Sequence, residues 1–191
     1  MGMKTSAVWA DGTFESNTAP LMGPLEDCAR RAAELGFTLR GDYGLGVFNG
    51  QTLKELKRLG FSSATLSFEL KLAQIRDLSK GLDTELVVYG RLPLMITENC
   101  LVQNETGCRL DRQGPCVPED GPCRCGQPNV LVDRTGAAFP LLPAYGHRTE
   151  IQNSKPLYLA DRPEHRRLGL AYARLRFTTE TAEECVSVVQ N

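Results

Sequence analysis

The sequence predicts an α/β protein in which a strand–helix alternation gives way to a cysteine-rich stretch and then to short β segments. Two observations carry this. Between Phe37 and Gly90 the apolar period switches repeatedly between two and 3.6, strand to helix to strand, at intervals of about 25 residues, the pattern of βαβ units and a parallel sheet. Five of the seven cysteines, Cys100, Cys108, Cys116, Cys123 and Cys125, then fall between two strand-like segments, ELVVYGRLPLM and NVLVDRTGAAFPLL.

The elements follow in order. Residues 1–20 are polar without clear periodicity and read as a loose lead-in. PLEDCARRAAELG reads as a helix, with Leu25, Cys28, Ala29, Ala32 and Leu35 at helical spacing and Gly36 as its stop. Cys28 lies on that stripe and reads as a core thiol. FTLRGDY is a strand, and Asn49 caps the helix QTLKELKRLG, which carries Leu53, Leu56 and Leu59 on one face and ends at Gly60. SSATLS is a short strand, ELKLAQIRDLSKG a helix with Leu70, Ile75 and Leu78 apolar, and ELVVYG a strand. These three parallel strands make either a small open sheet or the back end of a larger barrel, since a closed barrel of this type needs eight.

Residues 100–129 hold four Gly, four Pro and five Cys with little apolar periodicity, so something other than a hydrophobic core must order that backbone. NVLVDR and AAFPLL around Thr135-Gly136 read as a hairpin. TEIQN, PLYLAD and LAYARLRF are further strands. Thr181 and Glu184 form a capping box for a final helix, AEECVSVVQ, in which Cys185 is structural.

Composition narrows the chemistry. With 191 residues, 41% hydrophobic and 24% charged, the chain suits one globular domain or one and a fraction. A net charge of −1 gives no global pull toward nucleic acid or anionic membrane, while a local basic surface stays open. No apolar run approaches the roughly 20 residues of a spanning helix. MGMKTSAVWADG has no apolar signal region, so a cytoplasmic, reducing location is expected. There, and with an odd cysteine total, clustered thiols point to a metal before disulfides. Neither H-E-x-x-H nor G-x-S-x-G occurs, so neither a zinc protease helix nor a serine nucleophile elbow is present. A Cys–His dyad would have to draw on His147 or His165.

Several ordered words resemble the collagenase-like peptidase family U-32: LSFEL at 66–70, Tyr89-Gly90-Arg91-Leu92-Pro93-Leu94-Met95, Asn99-Cys100, Val132-Asp133-Arg134, Phe139-Pro140, Ile151 through Leu159, and RLRFTTETAEEC. The resemblance runs from about Leu39 to Cys185. It implies that the chain is the later part of a longer protein. The expected division is a lead-in at 1–20, a partial TIM-like (β/α) barrel at 21–99, a metal-binding module at 100–129, and a hairpin with a closing strand and helix at 130–191. It further implies a [4Fe–4S] cluster serving oxygen-independent hydroxylation of RNA or a small molecule, although the family's name states peptidase activity.

By position, Cys100, Cys108 and Cys125 match the family's first three ligands. The fourth is histidine here, His147. Histidine can ligate iron, and a Cys₃His set is equally a zinc set, so zinc is the alternative metal and a zinc-stabilised interaction module the non-catalytic alternative. Cys116 and Cys123 are reserve ligands. Arg91, Arg134 and Glu69 are candidate substrate contacts, each with an ordinary structural reading beside it: an ion pair for the arginines, a helix N-terminal carboxylate for Glu69. The missing barrel portion or an oligomeric partner is expected to cover the truncated sheet, and no membrane partner is expected.

Overall fold

The computed structural model describes residues 2–8, 14–22, 24–106, 127–144, 148–159 and 161–190. It divides into two units, Met1–Val88 with Arg162–Arg174, and Tyr89–Asp161 with Leu175–Asn191. Among the described residues no helix is long and apolar enough to cross a membrane.

The first unit opens with Gly2–Val8 (β1) and Phe14–Met22 (β2), an antiparallel pair whose register shifts between Met3 and Thr5. The polar lead-in gave no alternation to predict these strands. A ladder needs only backbone N–H and C=O groups, which every such sequence carries.

Helix α1 (Leu25–Glu34) buries Cys28, Ala29 and Ala32, small side chains that let it pack closely. Leu35, expected on the same stripe, is 67% exposed. The helix ends one residue earlier. Gly36 turns the chain with φ +78°, and the N–H groups of Gly36 and Phe37 donate to the carbonyls of Ala33 and Ala32.

The βαβ expectation holds. Leu39–Gly41 (β3), Phe61–Thr65 (β4) and Asp83–Gly90 (β5) are parallel neighbours, joined through Gly50–Arg58 (α2) and Leu72–Asp77 (α3). The Asn49 side chain accepts from the Thr52 N–H at 2.9 Å, the predicted cap, and Leu53 and Leu56 face inward, fully or almost fully buried. Helix α3 is shorter than its apolar pattern suggested. Of Leu70, Ile75 and Leu78, only Ile75 is buried, because Leu70 lies in the preceding turn and Leu78 already has extended backbone. Val47, Leu66, Leu86 and Val87 complete the core around the sheet.

Tyr172–Arg176 (β11) also pairs with β5. Its Arg174 reaches Glu85 and Asp42, each at 2.6 Å, and Glu85 also accepts from the Thr65 hydroxyl at 2.7 Å. The architecture is therefore α/β with a parallel core, and the described strands close no barrel.

ELVVYGRLPLM, strand-like throughout in the sequence, is two strands, and the second unit begins within it, at Tyr89. β5 ends at Gly90, where Leu157–Tyr158 (β10) pairs antiparallel with it, and Pro93–Thr97 (β6) enters a different sheet. That sheet is antiparallel, in the order β6, Arg148–Gln152 (β9), Ala138–Ala144 (β8), Asn129–Val132 (β7). The hairpin of β7 and β8 is the predicted one. Its turn is held by the Asp133 carboxylate, which accepts from the Thr135 hydroxyl and from the N–H groups of Thr135 and Ala137, while Gly136 takes φ +84°. Those donors hold Asp133 below the usual carboxylate range, the Thr135 hydroxyl foremost.

Leu101–Thr106 (α4) is helical where the cysteine-rich stretch had suggested none, and it buries Val102. Ala182–Gln190 (α5) starts at the predicted capping box: the Thr181 N–H donates to Glu184 at 2.7 Å and the Glu184 N–H to the Thr181 hydroxyl at 3.3 Å.

Candidate functional site

Cys100 is half-exposed and stands between β6 and α4. Its backbone neighbours are tied to Thr149, the second residue of β9. The Leu101 N–H donates to the Thr149 hydroxyl at 3.0 Å, and that hydroxyl donates to the Asn99 carbonyl at 3.3 Å. The Thr97 hydroxyl also donates to the Asn99 carbonyl, at 2.5 Å. Thr149 is buried, so Cys100 is displayed from a rigid corner.

The sheet topology then fixes which end matters. In an antiparallel sheet ordered β6-β9-β8-β7, the end of β6, the start of β9 and the start of β7 all lie at one end. Thr97 pairs with Thr149, and Ala144 with Arg148, at that end. Cys100 follows β6 by three residues. In the sequence, His147 immediately precedes β9 and Cys125 lies four residues before β7. Cys108, Cys116, Cys123, Cys125 and His147 themselves lie outside the described residues. Among the described residues no group of three His, Cys, Asp or Glu side chains comes together to hold a metal.

Beside this sheet the second unit holds a cleft of about 750 Å³. Val130, Pro140 and Leu142 form part of an apolar wall, and Arg91, Lys155 and Glu180 bring charge to it. Its lining starts at Gln127, two residues past Cys125. Arg91 donates through Nη1 to the carbonyls of Asn153, at 2.9 Å, and Ser154, and through Nε to the Thr179 hydroxyl at 3.4 Å. It therefore orders the turn after β9, and among the described residues no carboxylate pairs with it.

Glu180 accepts from the N–H groups of Thr178 and Thr179, at 2.6 and 3.0 Å, and from the Tyr89 hydroxyl at 3.3 Å. Burial pushes its carboxyl up, but these donors outweigh burial and hold it below the usual range. Tyr89 is buried against the rings of Tyr158 and Phe177. Burial first, and the Glu180 charge second, raise its hydroxyl above the ordinary tyrosine value. So the cleft offers two cations and an ionised carboxylate, and a neutral phenol is hydrogen-bonded to that carboxylate.

The raised Tyr89 hydroxyl has a consequence for stability. The contribution is fully present below the unfolded tyrosine pKa of about 10 and is lost as pH rises from there through the higher folded value. Urea unfolding is expected to show stability declining above about pH 10, with a shallower decline in Tyr89→Phe. An identical slope in both proteins would contradict this.

Of the other sequence candidates, Arg134 sits exposed in the β7–β8 turn, where its neighbour Asp133 is committed to the turn itself. Glu69 is exposed and lies before α3, whose first turn contains no acidic residue, so the helix-terminus reading of Glu69 does not apply. Glu69 belongs to the first unit, whereas Arg91 and Arg134 belong to the second. Glu180 and Lys155 escaped the sequence reading, although Thr-Thr-Glu just ahead of a capping box signals a carboxylate with free backbone N–H groups beside it.

The family model described as Peptidase family U32 matches residues 31–127, a span that takes in the parallel strands, the Tyr-Gly-Arg corner and all five clustered cysteines. No curated protein and no solved structure matches the chain.

Proposed function

Because the chain belongs to peptidase family U32, we propose that it forms the later part of a (β/α) barrel enzyme whose metal centre is held by Cys100, Cys108, Cys125 and His147. The observation that carries this reading is the convergence of strand ends: the ends of β6, β7 and β9 that adjoin Cys100, Cys125 and His147 all lie at one end of one sheet. Three thiolates and an imidazole suit either a [4Fe–4S] cluster or zinc. Bound, the cluster would supply electron transfer for hydroxylation of RNA or a small molecule. The chain's own residues do the rest: the Thr149 corner presents Cys100, Arg91 orders the turn beside the cleft, and Glu180 offers an acceptor to a substrate donor. The edge of β3, unpaired among the described strands, is where a further barrel portion, or an oligomeric partner, would pair.

Zinc is the second reading, favoured by the histidine at the fourth position. Anaerobic purification of the full chain, followed by iron, labile sulfide and zinc assays, separates the two. Iron and sulfide in near-equal amounts, lost in Cys100→Ser, are expected. One equivalent of zinc without sulfide would sink the cluster and support a zinc-stabilised module. The hydrolytic reading carried by the family's name requires metal-independent peptide cleavage that disappears in Cys100→Ser.

A further inference from the structure

We propose that the cavity at the starts of β4 and β5 is a binding site for inorganic phosphate, held at its oxygens by Lys57, Lys80 and the Thr84 hydroxyl and at its proton by Asp83. The site lies wholly in the first unit and is independent of what the cysteines hold. The cavity measures about 490 Å³, room for such an ion with several waters at about 30 Å³ each.

A buried hydroxyl without a partner selects this cavity. Thr84, the second residue of β5, lines it and is 1% exposed, yet its Oγ1 has no hydrogen-bond partner among the described residues. The backbone fixes its place: Thr84 pairs with Ala64 of β4, and the Ala171 N–H donates to the Thr84 carbonyl at 2.9 Å. A hydroxyl so enclosed is costly to leave unpaired, so the fold gains from a partner supplied at the cavity.

The charges lining the cavity are unpaired as well. Lys57, in the last turn of α2, and Asp83, at the start of β5, are both exposed and share the cavity, and neither forms an ion pair among the described residues. Lys80 Nζ donates to the carbonyls of Ile75, at 2.6 Å, and Leu78, at 3.3 Å, so one of its three N–H groups remains. That nitrogen stands at the cavity wall, since a Cβ on Gly169, another lining residue, would lie 3.9 Å from it. Burial pushes the Lys80 ammonium below the ordinary lysine value, and the Asp77 charge offsets this only in part.

The balance of donors and acceptors names the ligand. Two ammonium groups and a hydroxyl call for an oxyanion. Asp83, and Ser62, whose hydroxyl donates to the Leu39 carbonyl at 2.8 Å, offer the cavity acceptors and therefore call for a proton on that anion. Phosphate near neutral pH keeps an O–H to give them, whereas sulfate has none. A phosphodiester has none either, which sets a nucleic-acid strand aside.

The test is isothermal titration calorimetry of the full chain near neutral pH, at constant ionic strength, with potassium phosphate and potassium sulfate as probes. Phosphate is expected to bind at one site and sulfate about tenfold more weakly, the worth of one charge-assisted hydrogen bond. Thr84→Val keeps the side-chain shape and is expected to weaken phosphate by about tenfold, while urea unfolding without phosphate comes no earlier than in the unsubstituted chain. Lys57→Gln, at an exposed position, is expected to weaken phosphate similarly, and Asp83→Asn to bring sulfate closer to phosphate. Lys54→Gln, on the same helix but away from the cavity, is expected to leave binding unchanged. Absent phosphate binding, sulfate binding as tight as phosphate, or phosphate binding that Lys57→Gln or folded Thr84→Val leaves intact overturns the proposal. Phosphate held at a metal centre would survive both variants and vanish in Cys100→Ser, so this outcome and that of the metal reading are read separately.

Discussion

Gly90→Ala is expected to destabilise the chain by about 3 kcal/mol or more, measured by urea unfolding, because two penalties coincide at one Cβ. Gly90 has φ +129°, a conformation that L side chains rarely adopt. A Cβ there would also collide with the carbonyl oxygen and Cβ of Arg176 on the neighbouring strand. The obstacle is backbone, so no rotamer change relieves it. Either β5 and β11 separate, losing ladder hydrogen bonds, or the chain reverts to ordinary φ and the Tyr-Gly-Arg corner opens. Since Arg91 follows directly, the turn it holds at Asn153 and Ser154 is expected to lose amide-exchange protection as well. Unchanged stability in the Gly90→Ala protein would show that the close approach is not a feature of the fold.

Arg176→Met is expected to cost about 3–5 kcal/mol, the usual penalty for stripping one partner from a buried ion pair. Arg176 and Glu150 are 17% and 12% exposed and meet at 2.9 Å. Arg176 also donates to Gln152 Oε1 at 2.7 Å and to the Arg91 carbonyl at 2.5 Å, and Gln152 Nε2 donates to Glu150 at 2.5 Å. Gln152 is fully buried. Removing the guanidinium therefore takes from the Gln152 amide oxygen and the Arg91 carbonyl the donor they share, and leaves the Glu150 carboxylate without its counter-ion, held by the Gln152 amide alone of these donors. Arg176→Met/Glu150→Leu/Gln152→Leu removes the stranded side chains together and is expected to recover most of the loss, since an apolar replacement of a whole buried network is often neutral. If the triple variant is no more stable than Arg176→Met, the penalty arises from packing and not from uncompensated polar groups.

These two sites show where sequence reading stops. Gly90 lay within a recognised word, yet nothing in Tyr-Gly-Arg says that Arg176 passes over it. Arg176 and Glu150 lie 26 residues apart and pair only because β9 and β11 are brought together. By contrast, the Asn49 cap, the Thr181–Glu184 box and the hairpin around Thr135-Gly136 were readable because donor and acceptor lie within four residues of each other. The errors have the same origin. Leu35 and Leu70 match the apolar period of their helices, but the helices stop short of them, and helix ends answer to local backbone turns more than to periodicity.

The candidate site divides likewise. The residues that the family resemblance implies for it, three thiols and a histidine in place of a fourth, stand in the chain. That the strand ends next in sequence to Cys100, Cys125 and His147 lie at the same end of one sheet depends on the strand order β6-β9-β8-β7, which no local pattern encodes.

By itself, then, the sequence determined the α/β alternation, the caps and turns, the family and the donor atoms on offer, because each depends on neighbours in the chain. The tertiary structure decided which strand ends converge, that Glu180 is held ionised beside a neutral Tyr89, and that Arg174 and Arg176 are consumed by ion pairs while the buried Thr84 hydroxyl has no partner among the described residues. The physical reason is that burial and pairing of charge are properties of distance in space, and folding alone sets those distances.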